Sequence, residues 1–108
     1  GSEMCIRDSS KMRHEIVLIS SKPWWSIHDT LMWLGEKKIP TKEIHFIEDK
    51  WKIDCDVYID DAPYQLDSYV KNLNNKVIIR FVREYNDPVT GALDLNEWKD
   101  LIPLLNSL

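Results

Sequence analysis

The sequence predicts a small α/β domain in which helices flank a parallel sheet of about four strands. Short β-branched and aromatic runs alternate along the chain with apolar residues at helical spacing, which is typical of βαβ units. The length of 108 residues is enough for a single domain with a real core. A hydrophobic content of 44% and a charged content of 30% are ordinary for a globular protein.

The strands follow from continuous apolar runs. Residues 15–19 form an uninterrupted β-branched run, which indicates a strand buried on both faces. Similar runs predict strands at residues 43–47, 57–59 and 76–82. Pro63 prevents the 57–59 strand from continuing, because proline has no N–H to donate to a neighbouring strand.

Three helices are predicted between and after these strands. The first covers residues 26–38, since Ser26 can cap its start and lysines lie near its end. The second covers residues 63–73, which carry an apolar stripe at helical spacing. Asp94 is expected to cap the last helix.

Charge and cysteine content narrow the class of protein. A net charge of −4 argues against a nucleic-acid or anionic-membrane partner, and no apolar run reaches membrane-spanning length. Cys55 is expected to be a small buried or half-buried thiol. The two cysteines lie in no zinc-binding or redox spacing, which fits a cytoplasmic location.

Two adjacent carboxylates, Asp60 and Asp61, end the 57–59 strand. Like charges side by side repel unless a cation, hydrogen-bond donors or bulk water offset them. Ligands bind at the carboxyl ends of parallel strands, and Mg²⁺ prefers carboxylate and phosphate oxygens. The pair therefore indicates a Mg²⁺ site. The alternative is a solvated turn in which Asp61 caps the next helix.

Other polar residues lie at the ends of predicted strands. Ser20 and Ser21 follow the 15–19 strand, where small hydroxyls can bind phosphate or merely form a turn. Lys50 lies ten residues before Asp60, beyond the end of the 43–47 strand.

Three segments, Ile16–Ser21, Lys50 and Val57–Asp61, together resemble the last three of the four motifs of the haloacid-dehalogenase superfamily of phosphohydrolases. The closer resemblance is to its 5′-nucleotidase, or 5′(3′)-deoxyribonucleotidase, type. Tyr85-Asn86 and Glu97-Trp98 also resemble the closing segment of that family. The resemblance covers residues 14–102 and implies a half-size, haloacid-dehalogenase-like (Rossmannoid) parallel sheet.

The resemblance implies hydrolysis of nucleoside (deoxy)monophosphates, or of another small phosphomonoester, through an aspartyl-phosphate. Ser20, helped by Ser21, would hold the transferring phosphoryl group. Lys50 would neutralise its charge and that of the nucleophile. Asp60 and Asp61 would position Mg²⁺ directly or through water. Such chemistry consists mostly of positioning and electrostatic stabilisation.

The first motif of that family, Asp-x-Asp-x-Thr or Val, has no counterpart at the end of a predicted strand. Asp54-Cys55-Asp56 has the spacing but precedes its strand, so it would face the wrong edge of the sheet. Residues 1–9 are similar to a translated sequencing adaptor. We therefore expect residues 10–108 to be the C-terminal part of the core domain, without the substrate-selecting cap and inactive alone. The alternative is a non-catalytic module that binds phosphate or Mg²⁺, or that regulates another protein.

The family's nucleophile strand lies between the strands that correspond here to residues 16–19 and 57–59. With residues 1–9 excluded from the fold, that central strand would be missing. Two inner edges would then expose unpaired N–H and C=O groups, which promotes aggregation. We therefore expect the 16–19 and 57–59 strands to pair directly.

Overall fold

A six-stranded sheet forms the centre of the computed structural model, which describes residues 3–8, 14–20, 26–37 and 43–108. The strands are β1 (Glu3–Asp8), β2 (His14–Ser20), β3 (Glu43–Phe46), β4 (Val57–Asp60), β5 (Val77–Phe81) and β6 (Leu93–Leu95). The helices are α1 (Ile27–Lys37), α2 (Pro63–Asn72) and α3 (Leu101–Asn106), with short 3-10 helices at Lys50–Lys52 and Trp98–Asp100.

The sheet has the order β3-β2-β1-β4-β5-β6. Strands β2 and β3 are parallel, and so are β4, β5 and β6. Helices α1 and α2 follow β2 and β4 in the chain, as in βαβ units. The predicted α/β class is confirmed, and the parallel pieces have two and three strands.

Strand β1 occupies the centre of the sheet, so the expected direct pairing of β2 with β4 is wrong. It runs antiparallel to both neighbours, and Met4 lies opposite Leu18 on one side and Ile59 on the other. Excluding residues 3–8 from the fold was therefore also wrong, while the adaptor-like origin of residues 1–9 stays a prediction.

The direction of β1 follows from the length of its connection. Only residues 9–13 separate β1 from β2, whereas a parallel neighbour needs a crossover of a dozen or more residues. Two open strand edges offer β1 a row of hydrogen-bond partners on each side. The Ile6 side chain is buried in the core, and its carbonyl accepts a hydrogen bond from the Asp56 amide at 2.9 Å.

The two faces of the sheet carry separate apolar clusters. One contains Val17, Ile19, Cys55, Tyr58, Leu66, Tyr69 and Ile78, of which Leu66 and Tyr69 belong to α2. The other contains Ile6, Val57, Ile59, Ile79, Phe81 and Leu95, with leucines of α3 packed against it. Because successive strand residues point to opposite faces, Tyr58 and Ile59 lie in different clusters.

The last part of the chain differs from the prediction. Asp94 does not cap a helix; it lies in β6, which pairs in parallel with β5. The Arg80 guanidinium donates to its carboxylate at 2.8 Å, and this ion pair competes with any local capping role. The last helix, α3, begins only at Leu101.

Two further findings concern the state of Cys55 and the length of the helices. Cys55 is buried and disulfide-bonded, so it is not the free thiol that the sequence indicated. In the part of the chain that the structure describes, no helix is long and apolar enough to cross a membrane.

Candidate active site at the carboxyl end of strand β4

Asp60 is the last residue of β4, and only 2% of its surface is exposed. Its Oδ1 accepts hydrogen bonds from the backbone amides of Asp61 at 2.8 Å and Ala62 at 3.0 Å. Its Oδ2 accepts from the Lys50 ammonium at 3.3 Å and from the Tyr69 hydroxyl at 3.1 Å. A carboxylate has about four acceptor sites, and four donors therefore saturate Asp60.

Lys50 is fully buried beside Asp60, as their spacing in the sequence suggested. It opens the 3-10 helix Lys50–Lys52, which packs against α2. The Gln65 amide of α2 donates to the Glu48 carbonyl at 3.0 Å and so ties the segment before Lys50 to that helix. Burying an ammonium without a counter-charge is costly, and Asp60 supplies that charge.

Tyr69 is a member of this site that sequence reasoning missed. On α2 it contributed to the apolar stripe, and its buried ring does pack against Tyr58 in a tilted arrangement, with centroids 5.0 Å apart. Its hydroxyl, however, reaches Asp60. The sequence gives one signal for this role. Tyr69 belongs to the apolar face of a helix and follows the paired carboxylates by about two helical turns.

Asp61 has a more open environment than Asp60. The hydroxyl of Tyr85, which is 62% exposed, donates to Asp61 Oδ2, and this hydrogen bond raises the pKa of the Tyr85 phenol. No donor from the described residues contacts Asp61 Oδ1. As far as the described residues go, one carboxylate oxygen of Asp61 therefore has no hydrogen-bond donor.

The alternative interpretation of the pair, in which Asp61 caps the next helix, is wrong. The N-cap of α2 is Ala62, without a side-chain capping bond, and Pro63 occupies the first turn. The free backbone amides at the turn are those of Asp61 and Ala62, and it is the carboxylate of Asp60 that accepts from both. Asp60 thus stabilises the turn that presents Asp61.

Ser20, the described serine of the predicted phosphate site, lies two strands away from Asp60 in the sheet. Ser20 is the buried last residue of β2, and its carbonyl accepts from the Ile47 amide at 3.0 Å. Strands β2 and β4 end at the same edge, but β1 separates them, so their backbones lie about 10 Å apart. Ser21 lies outside the described residues.

The two aspartates differ in whether a carboxylate oxygen can bind Mg²⁺. Asp61 fits a hard cation, because it offers a carboxylate oxygen at the sheet edge. Asp60 has its acceptor sites filled by protein donors, so it has no site left for a metal ion or for a metal-bound water. Among the residues that the structure describes, no group of three or more histidine, cysteine, aspartate or glutamate side chains could hold a metal ion.

Asp54 and Asp56 lie at the opposite edge, as expected from their place before β4. The Asp54 carboxylate is 88% exposed and pairs with the Lys76 ammonium at 3.2 Å. This hydrogen bond raises the pKa of Lys76. Neither aspartate therefore approaches the end of β4 where Asp60 and Asp61 lie.

The α/β fold, with its parallel pieces of two and three strands, is consistent with a half-size haloacid-dehalogenase-like domain, and comparison with known families agrees. Residues 2–107 match the family described as 5′ nucleotidase, deoxy (pyrimidine), cytosolic type C. The chain belongs to this family.

One curated relative is a protein of Oceanobacillus iheyensis that carries the name "Putative nucleotidase". It is 29% identical over 111 residues, which cover 94% of this chain and 58% of the relative. The chain thus spans little more than half the length of that protein. No solved structure matches the chain significantly.

Proposed function

We propose that this chain carries part of the active site of a Mg²⁺-dependent phosphomonoesterase that acts on nucleoside (deoxy)monophosphates. Membership of the 5′-nucleotidase family supports the substrate class. The observation that carries the proposal is the buried Lys50–Asp60 ion pair directly before the open carboxylate of Asp61.

In this proposal Asp61 is the direct ligand of Mg²⁺ and Asp60 acts on it indirectly. The Asp60 carboxylate accepts a hydrogen bond from the Asp61 amide and so fixes the backbone that carries the Asp61 carboxylate. Bound Mg²⁺ would offset negative charge on the phosphoryl oxygens. No oxygen of Asp60 needs to leave its present donors for this role.

The phosphate group would lie between the ends of β2 and β4. The hydroxyls of Ser20 and Ser21 would donate to its oxygens, and the positive charge of Lys50 would stabilise it electrostatically. Lys50 is fully buried, so it acts from beneath the site unless the segment around it opens.

We further propose that the chain does not turn over substrate alone. Its Asp-x-Asp sequence, residues 54–56, lies at the wrong edge of the sheet, and β1 runs through the position between β2 and β4. An aspartyl-phosphate would therefore form on a carboxylate that this sequence does not contain. The match to 58% of the relative's length supports this proposal. The description "cytosolic" in the family name supports a cytoplasmic location.

Binding measurements on this chain test the proposed site. A titration with deoxyuridine monophosphate and Mg²⁺, followed by ¹⁵N NMR, should shift the amides of Ser20, Lys50 and Asp61. Asp61→Asn should abolish the Mg²⁺ dependence of these amide shifts. Asp67→Asn, an exposed control on α2, should leave it unchanged. Equal behaviour of the two variants would refute the assignment of Asp61.

An activity measurement tests the proposed lack of turnover. Release of inorganic phosphate from the same nucleotide with Mg²⁺ should not exceed that of a heat-inactivated sample. Release that Asp61→Asn removes and Asp67→Asn preserves would show that the chain has its own nucleophile.

A further inference from the structure

The side chain of Asn86 links the loop after β5 to the backbone of Asp61. Asn86 is 5% exposed, and its Nδ2 donates to the Asp61 carbonyl at 2.8 Å and to the Phe81 carbonyl at 3.0 Å. Its Oδ1 accepts from the Arg80 guanidinium at 2.9 Å and from the Arg83 amide at 3.0 Å. All four hydrogen-bonding positions of the side-chain amide are used.

This pattern allows one orientation of the Asn86 amide and excludes close substitutes. A flipped amide would place its N–H groups against N–H donors of Arg80 and Arg83, and its oxygen against two carbonyls. An aspartate could accept from the arginines but could not donate to Asp61 or Phe81. The site therefore requires a side chain that both donates twice and accepts twice.

Arg80 holds Asn86 from the other side. One of its nitrogens contacts both the side-chain oxygen and the backbone carbonyl of Asn86, the latter at 3.0 Å. Its Nε donates to the Asp94 carboxylate of β6. The position of Asn86 is thus fixed by two neighbouring strands, β5 and β6, and not by the loop alone.

Tyr85, the preceding residue, contacts the other end of Asp61. Its hydroxyl donates to Asp61 Oδ2, while Asn86 donates to the Asp61 carbonyl. Two consecutive loop residues therefore hold the backbone and the carboxylate of one aspartate. Oδ2 of Asp61 is thus engaged, while Oδ1 has no hydrogen-bond donor among the described residues.

We infer that Asn86 and Tyr85 are positioning residues that orient the Asp61 carboxylate toward a divalent cation. The inference rests on the proposed function, because it takes Asp61 as the metal ligand. Hydrogen bonds to a ligating carboxylate fix its orientation, and removing such partners commonly weakens metal binding by about 10–100-fold.

The test uses the isotope-labelled chain and four variants, of which two are matched controls. Tyr85→Phe removes only the hydroxyl, and Asn86→Ala removes the amide. Tyr64→Phe, at an exposed tyrosine of α2, and Asn72→Ala, at an exposed asparagine bonded to the Ser68 carbonyl, make the same kinds of change elsewhere.

Two NMR readouts are compared. Without metal, Tyr85→Phe should shift the carboxyl carbon of Asp61 but not that of Asp60, and Asn86→Ala should shift the backbone carbonyl carbon of Asp61. In a titration with Mg²⁺ alone, both should weaken binding at the Asp61 amide by about tenfold. The control variants should change neither readout.

The outcomes separate this inference from the proposed function. Unchanged Asp61 carbon signals, or equal or tighter Mg²⁺ binding in Tyr85→Phe, would overturn the positioning role. Tyr85→Phe keeps that decision available if Asn86→Ala does not fold. If the unmodified chain shows no Mg²⁺ response at Asp61, the proposed metal site is wrong, and the metal-free carbon signals still decide whether the two residues orient Asp61.

Discussion

Asp60 and Asp61 are neighbours in sequence with the same side chain, yet their environments differ sharply. Asp60 is buried, and four donors from the described residues contact it, including the ammonium of Lys50. Asp61 is half-buried, and only the Tyr85 hydroxyl contacts its carboxylate among the described residues. One carboxylate serves the protein itself, and the other is available to a ligand.

The difference shows how a pair of like charges can be accommodated at the end of a strand. The charge of Asp60 is balanced internally, so its repulsion on Asp61 is reduced before any cation binds. A buried ion pair need not add net stability, but its loss leaves an unpaired buried charge. We therefore expect substitution of Asp60 to destabilise the fold and substitution of Asp61 to change the binding of a ligand.

The same substitution at the two positions should give the largest contrast. Asp60→Asn places an amide N–H₂ against the Lys50 and Tyr69 donors and removes their counter-charge, so we expect a loss of about 3–5 kcal/mol in unfolding free energy. Asp61→Asn should stay within about 0.5 kcal/mol, as for a surface substitution. Urea unfolding followed by circular dichroism measures both, and equal losses would contradict the comparison.

The lysine partner gives the next contrast. Lys50→Met keeps most of the buried volume but removes the ammonium from Asp60, with an expected loss of about 3 kcal/mol, because Asp60 keeps its other donors. The control is Lys52→Met, since Lys52 forms an exposed pair with Asp49. That control should change stability by less than about 1 kcal/mol in the same urea experiment. A loss at Lys50 no larger than at Lys52 would show that the buried pair is not needed.

Removing one hydroxyl tests a single hydrogen bond of Asp60. Tyr69→Phe preserves the ring contact with Tyr58 and should lower the unfolding free energy by about 1.5–3 kcal/mol, as for a hydrogen bond to a charged group. Tyr64→Phe, at an exposed position, should have no effect. Thermal unfolding of the two variants gives the comparison, and identical midpoints would mean that Tyr69 contributes only packing.

Asp94 is an exposed aspartate with a single ion-pair partner among the described residues and should give the smallest effect. Its hydrogen bond from Arg80 lowers the pKa of Asp94, while its side chain is 45% exposed. Because the pKa of Asp94 is lower in the folded protein, its ionised carboxylate stabilises the fold at pH values above the ordinary aspartate pKa. This contribution disappears as the pH falls through the pKa of Asp94 in the folded protein. The stability difference between the unmodified chain and Asp94→Asn should therefore shrink on acidification below about pH 4. A difference that is constant from pH 7 to pH 2.5, in urea unfolding, would contradict this.

Most regular elements could be predicted from local pattern. The runs at β2, β3, β4 and β5 and the stripe of α2 were recognisable because each burial pattern matches its own period. β6 was missed because Leu93-Asp94-Leu95 is too short to show a period, and pairing with β5 specifies it.

Strand β1 was missed for a different reason. Its own residues show no clear alternation, and its conformation is set by the open edges of β2 and β4. An edge with unpaired N–H and C=O groups can recruit a strand whose side chains carry little signal. No reading of residues 3–8 in isolation could have included those edges.

The sequence by itself determined strands β2, β3, β4 and β5, their order along the chain, and the residue types at their carboxyl ends. Lys50, Asp60 and Asp61 were recognisable there because strand ends in α/β proteins converge on one edge. Only the tertiary structure decided the division of labour within the pair. Tyr69 reaches Asp60 from helix α2 and helps to make that carboxylate internal. Tyr85 and Asn86 reach Asp61 from the loop after β5, and Tyr85 engages one of its two carboxylate oxygens.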